Sequence, residues 1–327
     1  MKFLIIGSNS FSGFNFIKLL LQKNHKVIAI SRSNLNNKAF HEKNIISDNN
    51  FKFYKLDLNK NYPKILNLIK KNNISIIYNF AAQSMVPQSW KNPLDWYQTN
   101  IISQVKLVED LKKLKTLKKY VNFSTPEVYG STSKWINENY KFNPSTPYAI
   151  SRAAFDNHLL ALYKNFNFPV IFTRASNVYG PGQKLYRIIP FTILSAINKS
   201  KINLIGGGTS ERSFIHINDV SEALYKIYQK GKIGETYHIS TNRIISIYNL
   251  VKIISKKMNV KLSSLIKIKK ENLGKDFAYK LNSNKIRRKL KWIPKISLES
   301  GIDDVINWTK INKNVLNRLP KKYIHKK

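Results

Sequence analysis

Met1-Lys2-Phe3-Leu4-Ile5-Ile6-Gly7-Ser8-Asn9-Ser10-Phe11-Ser12-Gly13 opens the chain, and its reading decides the fold. An apolar run ends at a glycine, small residues follow, and a helical pattern takes over from about residue 14. A strand, a tight turn of small residues and a helix start in that order suit a pyrophosphate. The backbone can approach closely, and the helix N-terminus favours negative charge. The same segment also reads as a plain turn, since a glycine pair carries little information by itself.

The alternation continues outward. Short apolar runs at 2–7, 26–31, 51–56, 74–80, 118–123 and 169–173 read as strands. Helical periodicity falls at 14–22, 62–70, 94–113 and 148–165. Nearly all-apolar strands separated by helices predict βαβ units and a parallel sheet covered on both faces. The expected class is α/β, a Rossmann-type doubly wound sheet. After Arg174 the pattern loosens into glycine-punctuated loops, a helix at 188–198, a strand at 212–217, a helix at 218–229 and a strand at 235–240. Helices are expected near 246–258, with Ser246 as N-cap, 283–290 and 298–310. Residues 1–175 with about 217–245 are expected to bind a dinucleotide. About 176–216 with 246–312 would form a smaller mixed α/β substrate domain, and 313–327 a frayed basic tail.

Composition excludes several classes. The 327 residues contain no cysteine, which removes disulfides, thiol nucleophiles and Cys-based metal sites. Six scattered histidines show no ligand spacing. No apolar run approaches the length of a membrane span, and the opening one is too short for a signal peptide, so a soluble cytoplasmic protein is expected. The net charge of +38 raises nucleic acid as a partner, but 47 of the 56 basic residues are Lys and only nine are Arg. That balance reads as Lys-rich background, with no specific nucleic acid and no membrane insertion expected. The scarce Arg and acidic residues are then the informative ones.

The second strand ends in Ser31-Arg32, where a carboxylate would bind the adenosine ribose of NAD. Arg32 can instead accept a 2′-phosphate, which leans toward NADP; a solvated loop Arg is the bland reading. Asp57-Leu58 after the third strand is placed to border the adenine. Farther on, Ser124-Thr125-Pro126-Glu127-Val128-Tyr129-Gly130 follows the fifth strand, and Tyr148-Ala149-Ile150-Ser151-Arg152 opens the next helix. A Tyr with a cation four residues on puts phenol and charge on one helical face, and the cation favours the phenolate.

Together these segments resemble the extended short-chain dehydrogenase/reductase family, within it the NAD-dependent epimerase/dehydratase group and its nucleotide-sugar 4,6-dehydratases. The resemblance runs from Gly7 to about Trp308. It includes Ala81-Ala82-Gln83-Ser84, Thr99-Asn100, Ser176 to Pro181, Arg187 to Pro190, Arg212 to His216, Leu273 to Asp276 and Ser300 to Ile302.

The resemblance implies a catalytic set of Thr125, Glu127, Tyr148 and Arg152. Tyr148 would take the sugar O4 proton, Thr125 would hydrogen-bond O4, and Glu127 would remove the C5 proton as the C6 hydroxyl leaves. It implies a retained NAD or NADP held by Gly7, Ser10, Phe11, Gly13, Ser31, Arg32, Asp57, Leu58, Ala81, Ala82, Asn100, Tyr148 and Arg152. It places a nucleotide sugar, of dTDP-glucose or GDP-mannose type, against Gln83, Ser84, Ser124, Asn177, Arg187, Arg212 and Asn272. It implies a homodimer on the helices at 94–113 and 148–165, and a 4-keto-6-deoxy product for surface polysaccharide synthesis.

Three residues depart from the family pattern. Ser10 stands for a glycine, Arg152 for a lysine, and Pro126 for the acid that protonates the leaving hydroxyl. The same 4-keto logic also serves a 4-epimerase or a uronate decarboxylase, and a non-catalytic dinucleotide- or nucleic-acid-binding protein is the reading from another class.

Overall fold

The structure is a computed structural model and describes residues 1–35, 39–270 and 277–325. Its centre is a parallel sheet of β1 (Lys2–Ile6), β2 (Lys26–Ser31), β3 (Phe51–Lys55), β4 (Ile76–Asn79), β5 (Lys119–Ser124) and β6 (Val170–Ala175), joined much later by Thr236–Ile239. The order across the sheet is 3-2-1-4-5-6 followed by that late strand, so the first strand lies inside and the order reverses beside it. Such a reversal opens a crevice at the carboxyl ends of the strands.

Alternation along each strand feeds two cores. Phe3 and Ile5 of β1 join Phe16, Ile17 and Leu20 of the opening helix, Phe11–Gln22, and Leu224 and Ile227 of helix Ile217–Lys230. Leu4 and Ile6 point the other way, to Ile65, Leu107, Phe155 and Leu159. Burying both faces is why the middle positions of β1, β2 and β4 are almost all apolar. Ile286, Leu290 and Trp292 return to the first of these layers from late in the chain.

The expected helix at 94–113 is interrupted. It runs as Pro93–Tyr97, a π-helical turn Gln98–Ile102, then Ser103–Leu111. The expected strand at 212–217 is two strands. Glu211–Arg212 pairs antiparallel with Ile245–Ser246, and Phe214–His216 pairs parallel with Asn177–Tyr179. A pairing of Ile202–Ile205 with Ile266–Lys269 went unread, because short alternating runs of Ile and Lys carry little signal. A third core of Tyr179, Ile189, Ile193, Phe214, Leu250, Ile302 and Val305 holds the C-terminal elements together. Among the described residues, the segment expected to fray is packed. Lys313–Asn317 is helical, Leu316 is fully buried, and Leu319 packs beside it. Among the described residues, no helix is long and apolar enough to cross a membrane.

Candidate functional site

At the crevice, β1 delivers the chain into a turn at Gly7 (φ +77°). A Cβ there would lie 2.6 Å from the Ala81 nitrogen, so only glycine lets the turn rest against the end of β4. Ser10 caps the opening helix by accepting from the Gly13 nitrogen at 3.1 Å. Phe11 packs on the sheet core beneath. With no acid in its first turn, this helix presents an uncompensated positive end.

One cavity gathers Gly7, Ser10, Ser31, Arg32, Asp57, Leu58, Ala81 and Ala82 with Gln83. It adds four polar residues outside the expected cofactor set, Asn9, Ser33, Asn59 and Thr99, of which only Thr99 lay in a segment carrying the resemblance. Asn9 bridges to the Ser33 carbonyl at 2.5 Å, and Asn59 to the Thr99 hydroxyl at 3.0 Å, so they shape the walls. Asn100 is fully buried. Its Oδ1 accepts from the Gln83 nitrogen (2.8 Å), and its Nδ2 donates to the Gln83 carbonyl (3.0 Å) and the Ser151 hydroxyl (2.9 Å). It supports the strand end rather than facing the cavity.

Beside the cavity, Thr125, Pro126 and Glu127 leave β5 in a short 3₁₀ turn, Pro126–Tyr129. Pro at its first position presets φ, and the Thr125 hydroxyl accepts from the Glu127 nitrogen at 3.4 Å. Helix Pro147–Phe166, capped by Thr146, carries Tyr148, Arg152 and Asp156 one turn apart. The Thr125 hydroxyl, the Glu127 carboxylate and the Arg187 guanidinium all lie within electrostatic reach of the Tyr148 phenol. Hydroxyl, carboxylate and phenol therefore share one shelf.

Burial, reinforced by Glu127, pushes the Tyr148 phenol up to about 12. Arg152, the Thr125 hydroxyl and Arg187 pull it down, but by less. The expectation that Arg152 would dominate is corrected: desolvation outweighs the nearby cation. Arg152 donates through Nη2 to the Phe123 carbonyl at 2.6 Å, while Nε and Nη1 are buried without a hydrogen-bond partner.

Ser124 does not face the shelf. Its hydroxyl donates inward to Asp156 at 2.7 Å. Asp156 also accepts from Asn122 (2.8 Å) and pairs with Arg174 (2.7 Å), and Arg174 reaches the Tyr129 hydroxyl at 2.9 Å. Tyr129 in turn meets His238 Nε2 at 2.8 Å. Burial and the Arg174 charge push His238 down to about 3. This chain of side chains ties the Thr125–Glu127 turn to the Tyr148 helix from behind. Its sequence signal was available, since Asp156 repeats the 148, 152 spacing.

Of the expected substrate residues, Gln83 is buried and Ser84 half-buried at the end of β4. Asn177 sits in its short strand, and Arg187 is the exposed N-cap of helix Ile188–Ile197, over the Tyr186 ring. Arg212 donates to the Glu211 and Phe277 carbonyls and lies over Tyr279. Asn272 and the Leu273–Asp276 segment lie outside the described residues.

The sequence profile of the family described as GDP-mannose 4,6 dehydratase matches residues 4–305. The chain belongs to this family. A dTDP-D-glucose 4,6-dehydratase of Dictyostelium discoideum is 30% identical, covering 96% of this chain and 82% of its own. The crystal structure of dTDP-glucose 4,6-dehydratase from Bacillus anthracis, in complex with NAD, shares 30% identity with a TM-score of 0.89, covering 98% of this chain and 100% of that one. That of the Streptomyces venezuelae enzyme, with NAD and TYD bound, shares 25% identity with a TM-score of 0.88, covering 96% of this chain and 98% of that one. The chain is therefore an enzyme of the nucleotide-sugar 4,6-dehydratase class.

Where the family pattern has a glycine, Ser10 supplies a hydroxyl that serves as the N-cap. Pro126 replaces an acid but shapes the turn that presents Glu127.

Proposed function

We propose that the chain converts a nucleoside-diphosphate hexose of dTDP-glucose type to its 4-keto-6-deoxy form, using NAD bound in the Gly7–Gln83 cavity. The cavity fits such a group. It has a glycine turn that a Cβ would block and a helix N-terminus with no acid in its first turn; beside it, one turn from Tyr148, Arg152 has two buried donors without partners. When bound, the nicotinamide supplies hydride acceptance from C4 and hydride return to C6.

The protein's own residues do the proton work. Tyr148 must first shed its own proton against burial, with Arg152 and Arg187 as the charges that favour the phenolate; in that form it takes the O4 proton while Thr125 holds O4. Glu127 takes the C5 proton, made acidic by the adjacent ketone, and passes it to the C6 hydroxyl, which departs as water; a solvent proton returns to C5 as hydride reaches C6. Pro126 has no proton to give. Arg187, at the edge of the shelf, is placed to meet the diphosphate. Arg32 lines the ribose end of the cavity and bears on NAD against NADP, which parallel affinity measurements decide. Exposed Leu94, Ile102 and Ile150 on the two long helices support a homodimer there.

The observation that carries the reading is Glu127 beside Tyr148 and Thr125. A 4-epimerase needs no base at C5, and a dehydratase does. The test is a panel of dTDP-, UDP-, GDP- and CDP-sugars in deuterated water with mass readout. Loss of one water and entry of deuterium at C5 are expected. Absence of any dehydrated product sinks the proposal. Glu127→Gln should slow dehydration by about 10²- to 10³-fold.

A further inference from the structure

The last residues cross the mouth of the cleft. Helix Lys313–Asn317 anchors on the C-terminal side through buried Leu316, and Asn198 donates to Asn317 at 2.6 Å. The chain then reaches the opposite wall. The Tyr323 hydroxyl donates to Gln83 Oε1 at 3.0 Å, and its ring meets Tyr186 edge-on at 5.4 Å, beside Arg187. Two residues on, His325 Nε2 lies 2.6 Å from the Asp95 carboxylate, and its ring stacks on Trp96 at 5.0 Å. The Tyr323 hydroxyl is within electrostatic reach of both Arg32 and Arg187, one from each side of the cleft. Lys321 and Lys322 on the same strap are exposed.

We propose that residues 319–325 form a strap that walls the occupied cleft, and that Tyr323 is a positioning residue for the nucleotide sugar. It acts through Gln83. A donor on Gln83 Oε1 fixes the orientation of that amide, and the Tyr323 ring backs the segment that carries Arg187. The anchors on both walls make the strap a closure that tightens around ligand, and its lysines suit an anionic one. This inference rests on the cleft being the nucleotide-sugar site, so one arm of the test is independent of that reading.

In the ligand-free arm, trypsin release of the 323–327 peptide is timed by mass spectrometry. Tyr323→Ala and His325→Ala should each release it about tenfold faster than the full chain, and an unchanged rate overturns the strap. In the second arm, NAD and dTDP are added to the full chain. Slower release is expected, and equal or faster release overturns a wall that stays closed over ligand. In the third arm, kinetics use whichever nucleotide sugar the full chain dehydrates. Tyr323→Phe should raise KM about three- to tenfold with kcat within about twofold, the size of one neutral hydrogen bond. Tyr323→Ala should raise KM further, and the retained ring of the Phe variant accounts for the difference. A fall in kcat with KM unchanged, or no change in either, overturns the positioning role. If the full chain dehydrates no nucleotide sugar, the functional reading fails while the ligand-free arm still judges the strap.

Discussion

The two sides of the cleft are built by different means. The cofactor side is backbone: a glycine turn, a helix end, and small residues whose hydroxyls and amides are spent on shaping the turn. The catalytic side is side chains: Thr125, Glu127 and Tyr148 in front, Asp156, Arg174, Tyr129 and His238 behind. A backbone site should tolerate side-chain exchange, and Ser10, which caps the helix where the family pattern has a glycine, is the place to test it. A side-chain site should not, because each buried polar group depends on the next.

The sharpest break is Tyr148→Phe. On the proposed mechanism it removes the proton carrier at O4 and should lower kcat about a thousandfold, with the urea midpoint nearly unchanged. Arg174→Met comes next. It leaves Asp156 buried without its charge partner and should destabilise the fold by about 3 kcal/mol in urea titrations, with Asp156→Asn in the same chain recovering part of the loss.

The pH arm is smaller. His238 is held near 3 when folded against 6.5 in its ordinary state, so the unfolded chain binds the extra proton between those values. Its share of stability is present above 6.5 and is lost as pH falls toward 3. Unfolding free energy should drop by about 2 kcal/mol between pH 6.5 and about pH 5, and His238→Gln should flatten that slope. The smallest effect belongs to the backbone side. Ser10→Ala should cost about 1 kcal/mol as a lost N-cap, and Ser10→Gly only a few tenths, while dinucleotide affinity in the Gly variant stays within about twofold. A large loss of affinity in Ser10→Gly would erase the contrast between the two sides.

The same contrast explains what could be read from sequence. The strands and the glycine turn were legible because alternation and spacing are local. Glu127, Tyr148 and Arg152 could be picked out as candidates because they fall in short contiguous segments. Asn100 was misread because whether a buried amide faces a cavity or a neighbouring backbone depends on residues 17 and 51 positions away. The Tyr148 phenol was misread because spacing shows the cation and not the burial. Ser124 and the tail failed for the same reason: their partners, Asp156 and Gln83, lie 32 and 240 positions away.

The late edge strand, Thr236–Ile239, sets the timetable of synthesis. It pairs with β6 only after some sixty intervening residues, and the face of the sheet is closed by Trp292 later still. During translation the half-built sheet leaves the ribosome with β6 as an open edge, the kind of surface on which nascent chains aggregate. The fold matures only once Trp292 has been made, so termination before it leaves an unfinished sheet rather than a free-standing dinucleotide domain.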